Sequence, residues 1–205
     1  LPDWFMDKYG PEVKMRNSKG GIVASDGVSL FNQKYLEKVT LWYDMIMPFI
    51  SKHQLSNGGP IIMMQICNEI GVFSWLAHQA DYCEAVKERF IFYLKGKYTG
   101  IEELNSLWET EYQDFTLVEL PPDGRLPYAS KGDRGRDHEW HNFWRTYYGD
   151  YLRMLTALAR ERGVTVPLYH NLPGWIYGSG YEFPVNITMY EDLFLDKSEI
   201  IFGVD

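Results

Sequence analysis

Apolar positions along the chain follow two rhythms. Over residues 29–53 they recur at three- and four-residue steps, with Leu36, Val39, Trp42, Tyr43 and Ile46 on one stripe. That spacing predicts an amphipathic helix, with Ser29 as its N-cap and Pro48 kinking or ending it. Residues 60–67, Pro-Ile-Ile-Met-Met-Gln-Ile-Cys, run almost unbroken instead. They predict a short strand covered on both faces, as strands of parallel sheets are. Helical periodicity returns over 78–98, more briefly over 101–112, and again from about His138 to Arg162, where Gly163 stops it. A Pro- and Gly-rich stretch with clustered charges, 120–137, reads as a loop. Residues 164–171 and 199–205 predict two further strands, with a short helix near 189–194 between them. Before residue 29 the pattern is weak and predicts only a short helix near Trp4–Lys8 and a loop.

Strands alternating with helices imply right-handed crossovers and a parallel α/β sheet. Each strand closes on polar residues: Asn68 and Glu69, then His170 and Asn171, then Asp205. Polar groups at carboxyl strand ends suit a (β/α)₈ TIM barrel, and a doubly wound sheet places its site similarly. No Gly-rich phosphate loop follows a strand, which favours the barrel. A full barrel takes about 250 residues and eight strands. Three strands in 205 residues therefore predict an incomplete barrel, from about the end of the third strand to the sixth. Residues 1–205 are read as one central segment of a catalytic domain. The opening Leu-Pro-Asp-Trp-Phe, without an initiator Met, reads as the middle of a fold, and the N-terminus is expected upstream. A partial barrel exposes strand edges, so the isolated chain is expected to be sticky and poorly stable.

Composition narrows the chemistry. An apolar share of 45% with 23% charged residues is that of a folded globular chain. The net charge of −8, with no basic stripe, argues against nucleic acid as a partner. No run of about eighteen apolar residues suggests a membrane span. Cys67 and Cys83 make neither a disulfide framework nor a zinc set, and read as two free buried thiols. The aromatic share is high, 16% with seven Trp, and aromatic faces suit both sugars and cores. Nothing fixes a compartment, and an oligomer is left open.

Asn68 and Glu69 carry the strongest chemical suggestion. A carboxyl at the mouth of an apolar strand is partly desolvated and can keep a proton near neutral pH, as a general acid in glycoside hydrolysis requires. The plainer reading has Asn68 starting a turn and Glu69 capping the next helix. His170 and Asn171 either hold sugar hydroxyls or close their own turn, and Trp175 either stacks under a sugar or anchors its loop. Asp-His-Glu-Trp-His at 137–141 lacks the four-residue His spacing of a zinc helix; it reads as a helix start with Asp137 as cap. Asn186-Ile187-Thr188 fits a glycosylation acceptor.

The stretch Gly-Gly-Pro-Ile-Ile-Met-Met-Gln-Ile-Cys-Asn-Glu-Ile-Gly, residues 58–71, resembles the fourth-strand signature of glycoside hydrolase family 35, the β-galactosidases. Cys67 replaces the family's acidic residue and Ile70 its Tyr. The opening segment and residues 35–50 resemble the same enzymes more loosely. Residues 93–115, Tyr-Leu-Lys-Gly-Lys-Tyr onward, are similar instead to family 42, a second β-galactosidase family with the same barrel and Asn-Glu pair. The resemblance implies a retaining glycosidase acting on a β-linked oligosaccharide or glycoside, without a cofactor. It makes Glu69 the general acid/base and Asn68 the contact to the sugar 2-hydroxyl. It also implies a nucleophilic Glu on a seventh strand, outside the chain; Glu182, Glu191 and Glu199 are weak substitutes. The alternatives are a related enzyme for another β-linked sugar and a sugar-binding barrel without catalysis.

Overall fold

The computed structural model describes residues 1–24, 27–77, 80–121, 130–172 and 200–204. In chain order the elements are α1 (Asp3–Val13), α2 (Gln33–His53), β1 (Met64–Asn68), α3 (Val72–Ala77), α4 (Glu84–Lys97), α5 (Ile101–Trp108), α6 (Lys131–Glu161), β2 (Leu168–Leu172) and β3 (Ile200–Val204). The expected helix near 189–194, Glu199 and Asp205 lie outside the described residues. The strands form one parallel sheet in the order β1-β2-β3, and helices lie in the crossover from β1 to β2, as parallel pairing requires.

Several boundaries differ from the sequence pattern for local reasons. The cap of α2 is Asn32, not Ser29: its side chain accepts from the backbone N–H groups of Lys34 and Tyr35. Ser29 is instead drawn inside, its N–H donating to the Val13 carbonyl (2.8 Å) and its hydroxyl 2.9 Å from the Cys83 sulfur. Pro48 sits within α2 without ending it; packing of Tyr43 and Met47, both buried, carries the helix past the missing donor. Cys83 occupies the N-cap position of α4 rather than its interior. Neither cysteine is in a disulfide.

The largest difference is α6, which begins at Lys131, well before His138. Ser130 and Asp133 form a reciprocal capping box, so Asp137 lies inside the helix. The glycines that suggested a loop have a packing role. A Cβ on Gly135 would lie 2.6 Å from Cδ1 of Trp108, and one on Gly132 would lie 2.8 Å from Cγ2 of Thr110. Their bareness lets the end of α5 press against α6.

Much of the aromatic content fills the layer between α6, α4 and the sheet. Trp140, Phe143, Trp144, Tyr147 and Tyr148 are all buried; Trp144 and Tyr147 meet edge-on at 4.7 Å, while Trp140 and Phe143 stack at 5.5 Å. Along the sheet, β1 stands at an edge among the described residues. The preceding Ile62 and Met63 are 62% and 42% exposed, in place of the expected cover on both faces. The outer face of α2 likewise exposes Leu41, Trp42, Met45 and Phe49. Among the described residues no helix is long and apolar enough to cross a membrane.

Candidate active site

The carboxyl end of β1 is built around a register shift. Met64 and Gln65 pair with Leu168 and Tyr169, but Cys67 and Asn68 pair with His170 and Asn171, so Ile66 is the extra residue. Such an irregularity re-aims the side chains beyond it. The Ile66 carbonyl is taken up by the Tyr43 hydroxyl from α2 at 3.3 Å. After the shift, Asn68 and Asn171 stand opposite each other, and the Gln65 side-chain N–H₂ reaches Oδ1 of both, at 3.0 and 2.5 Å. Gln65 is a site residue that sequence reasoning passed over; its signal was a single amide inside an apolar strand.

Glu69 follows immediately, with φ of 45°, in the left-handed region that non-glycine residues rarely adopt. Gly71, at φ 84°, completes the sharp turn into α3. The Glu69 carbonyl accepts from the Val72 N–H at 3.0 Å, while its carboxylate takes no hydrogen bond or ion pair among the described residues. It therefore does not cap α3, as the plainer reading would have it. The turn borders a cavity of about 260 Å³, walled by Tyr35, Cys67, Asp81, Trp144 and Tyr148, with Asn68 and Glu69 lining it. Burial pushes the Cys67 thiol up to about 11, so beside Glu69 stands a neutral thiol and not a second charge.

His170 and Asn171, the polar pair just before Leu172 at the end of β2, both bond the turn that follows β1, and the reading in which His170 holds a sugar hydroxyl fails on its burial. His170 is fully buried. Its Nδ1 bonds the Cys67 carbonyl at 2.9 Å and its Nε2 receives the Ile70 N–H at 3.4 Å. Burial lowers its pKa to about 4, against a smaller upward pull from the Cys67 carbonyl. It is a neutral imidazole turned toward main chain. Asn171, 8% exposed, accepts the Glu69 N–H at 3.4 Å. Asn68 is exposed at the strand end. Trp175 and the late glutamates Glu182, Glu191 and Glu199 lie outside the described residues, as does Asn186.

The Asp-His-Glu-Trp-His stretch makes no site. Glu139 is buried against Tyr93, Lys97 and Tyr98, and His141 Nδ1 lies 2.7 Å from the Asp137 carbonyl oxygen. Among the described residues no cluster of three or more His, Cys, Asp or Glu could hold a metal ion.

Residues 1–189 match the sequence model of glycoside hydrolase family 42, described as β-galactosidase. The chain belongs to this family. The family-35 half of the resemblance gains no such support, so the likeness at 58–71 stays local. Among curated proteins, the chain is 38% identical over its whole length to a β-1,2-glucosyltransferase of Ignavibacterium album, covering 28% of it. It is 25% identical over 82% of its length to an exo-β-D-glucosaminidase of Thermococcus kodakarensis, covering 22%. Among solved structures it overlays on the β-galactosidase of Halorubrum lacusprofundi with a TM-score of 0.72 and 19% identity, over 94% of this chain and 27% of that one. The family-42 chain thus spans about a quarter of the length of these relatives. Its α/β fold is part of a TIM-barrel glycosidase domain, and the barrel prevails over a doubly wound sheet.

Proposed function

We propose that the chain is the central part of the catalytic barrel of a retaining β-glycosidase, with β1, β2 and β3 as its fourth, fifth and sixth strands. The observation that carries the reading is Glu69: a carboxylate without a partner among the described residues, held in a left-handed turn at the carboxyl end of a strand, beside Asn68 on a cavity. An acid/base needs that freedom, since a carboxylate fixed in an ion pair would not hold and return a proton.

In the first step Glu69 gives its proton to the glycosidic oxygen as the bond to the anomeric carbon breaks. A carboxylate from the rest of the protein forms the new bond to that carbon. In the second step Glu69 takes a proton from water, the oxygen of which displaces the carboxylate with net retention. Asn68 holds the 2-hydroxyl, and Asn171 holds the turn through the Glu69 N–H; Trp175 is the proposed stacking platform. Terminal β-galactosides, or related β-glycosides, are the proposed substrates.

A second reading is transfer. The 38% identity to the β-1,2-glucosyltransferase, over the whole chain, favours a glucosyl-enzyme intercepted by a sugar hydroxyl in place of water. The chemistry at Glu69 is the same in both.

The parent protein and its Glu69→Ala variant would be given aryl β-galactosides and β-glucosides, with and without azide or a glucose acceptor. Azide that speeds the variant on an activated substrate and yields a β-azide supports Glu69 as acid/base. Disaccharide in place of free sugar selects transfer. Unaltered activity in the variant sinks the assignment of Glu69; a wild type inert on the whole panel brings forward a sugar-binding barrel.

A further inference from the structure

The turn bearing Glu69 occupies a backbone region that disfavours any residue but glycine, so something must hold it there. Two side chains from β2 do so. One imidazole bonds both flanks of Glu69: His170 Nδ1 takes the Cys67 carbonyl, 2.9 Å away, and Nε2 takes the Ile70 N–H, 3.4 Å away. The next residue, Asn171, accepts the N–H of Glu69 itself at 3.4 Å. The pattern fixes the tautomer. Nε2 faces a donor and must be bare, so Nδ1 carries the hydrogen and donates it to the carbonyl.

The ring is itself confined. It is wholly buried and meets Phe202 of β3 edge-on, with centroids 6.3 Å apart. The parallel register brings it opposite Cys67, one residue after the shift at Ile66. Without that shift the strand ends would be out of step by one, and the imidazole could not bridge from position 67 to position 70.

We propose that His170 is a positioning residue for the general acid: its neutral imidazole fixes the left-handed turn and thereby the direction in which Glu69 presents its proton. The inference rests on the reading of Glu69 as acid/base. Glycosidic oxygens with poor leaving groups need that proton, whereas strongly activated aryl groups leave without it. Misdirection of Glu69 therefore has a signature that general loosening of the fold lacks.

The test compares wild-type parent enzyme with His170→Leu, which removes both bonds, and His170→Gln, which can still offer an acceptor to the Ile70 N–H. Phenyl and 2,4-dinitrophenyl β-glycosides of the same sugar are the probes. His170→Leu is expected to lose about 10²-fold in kcat/KM on the phenyl substrate and less than about tenfold on the dinitrophenyl one, with His170→Gln recovering much of the difference. Equal losses on both substrates, or no loss, would overturn the proposal. Hydrogen exchange at residues 68–71 gives a readout independent of turnover. The Glu69 and Ile70 amides should exchange at least about tenfold faster in His170→Leu, one factor of ten corresponding to 1.4 kcal/mol of opening free energy; unchanged protection overturns the proposal even in an enzyme inert toward both glycosides. Such inertness, with protection lost, would sink the glycosidase reading and leave the role of His170 in the turn standing.

Discussion

Replacing Glu139 tests how the helical layer behind the sheet is held. Its side chain, in a residue only 3% exposed, accepts from the Tyr93 hydroxyl and Lys97 Nζ of α4, each at 2.7 Å, and from the Tyr98 hydroxyl at 3.0 Å. Burial pulls its pKa upward, but the hydrogen bonds from Lys97, Tyr93 and Tyr98 outweigh that pull and hold it below the ordinary carboxylate range. Glu139→Ala leaves two tyrosine hydroxyl protons without their acceptor, at about 1–3 kcal/mol each where water cannot replace it. Lys97 is 39% exposed and can turn to solvent, so its share is small. The expected loss is about 3 kcal/mol for Ala and about half that for Gln, which keeps one acceptor oxygen.

The pH dependence has a definite sign. The folded carboxyl binds its proton less readily than the unfolded one, whose pKa is about 4.3. Its contribution is therefore complete above that value and is lost as pH falls through the folded value. The stability gap between wild type and Glu139→Gln should narrow from pH 6 to about pH 3. Urea unfolding followed by Trp fluorescence at several pH values measures it. A loss under about 1 kcal/mol for Ala at pH 7, or a Gln gap constant with pH, would refute the reasoning.

Two glycines in helices should respond oppositely. Gly135→Ala forces a methyl against the Trp108 indole and should cost about 1–3 kcal/mol, whereas Gly96→Ala on α4, with nothing within 4 Å of the added carbon, should stabilise by up to about 1 kcal/mol; thermal melts of the pair decide. Tyr43→Phe strips the Ile66 carbonyl of its partner and should cost about 1 kcal/mol, seen as a lower urea midpoint with an unchanged slope.

The elements with strong periodicity or continuous apolarity were legible. The helical period of α2, the apolar run of β1 and the glycine after α6 follow from backbone geometry and local burial, which act over a few residues, although Trp42, read on the α2 stripe, faces outward at 53% exposure. The Asn68-Glu69 pair was singled out by the likeness of residues 58–71 to a family signature, since a polar pair closing an apolar strand is by itself a weak signal, and its role is a proposal. What failed were signals with two physical meanings. Gly132 and Gly135 read as loop because glycine frees the backbone, yet they are helical because Trp108 needs their space. Ser29 read as a cap, and Asn32 took the role once Ser29 found Val13 and Cys83.

By itself, then, the sequence determined the three strands, the long helices between the first two and the parallel sheet they imply, since periodicity and apolar runs depend on neighbours along the chain. Tertiary structure alone decided that Ile66 shifts the register, that Glu69 stands in a left-handed turn, and that His170 faces main chain rather than the open pocket. Those outcomes depend on pairing between residues about a hundred positions apart, where one step of register changes which groups meet, and no local pattern of apolar and polar positions records that step.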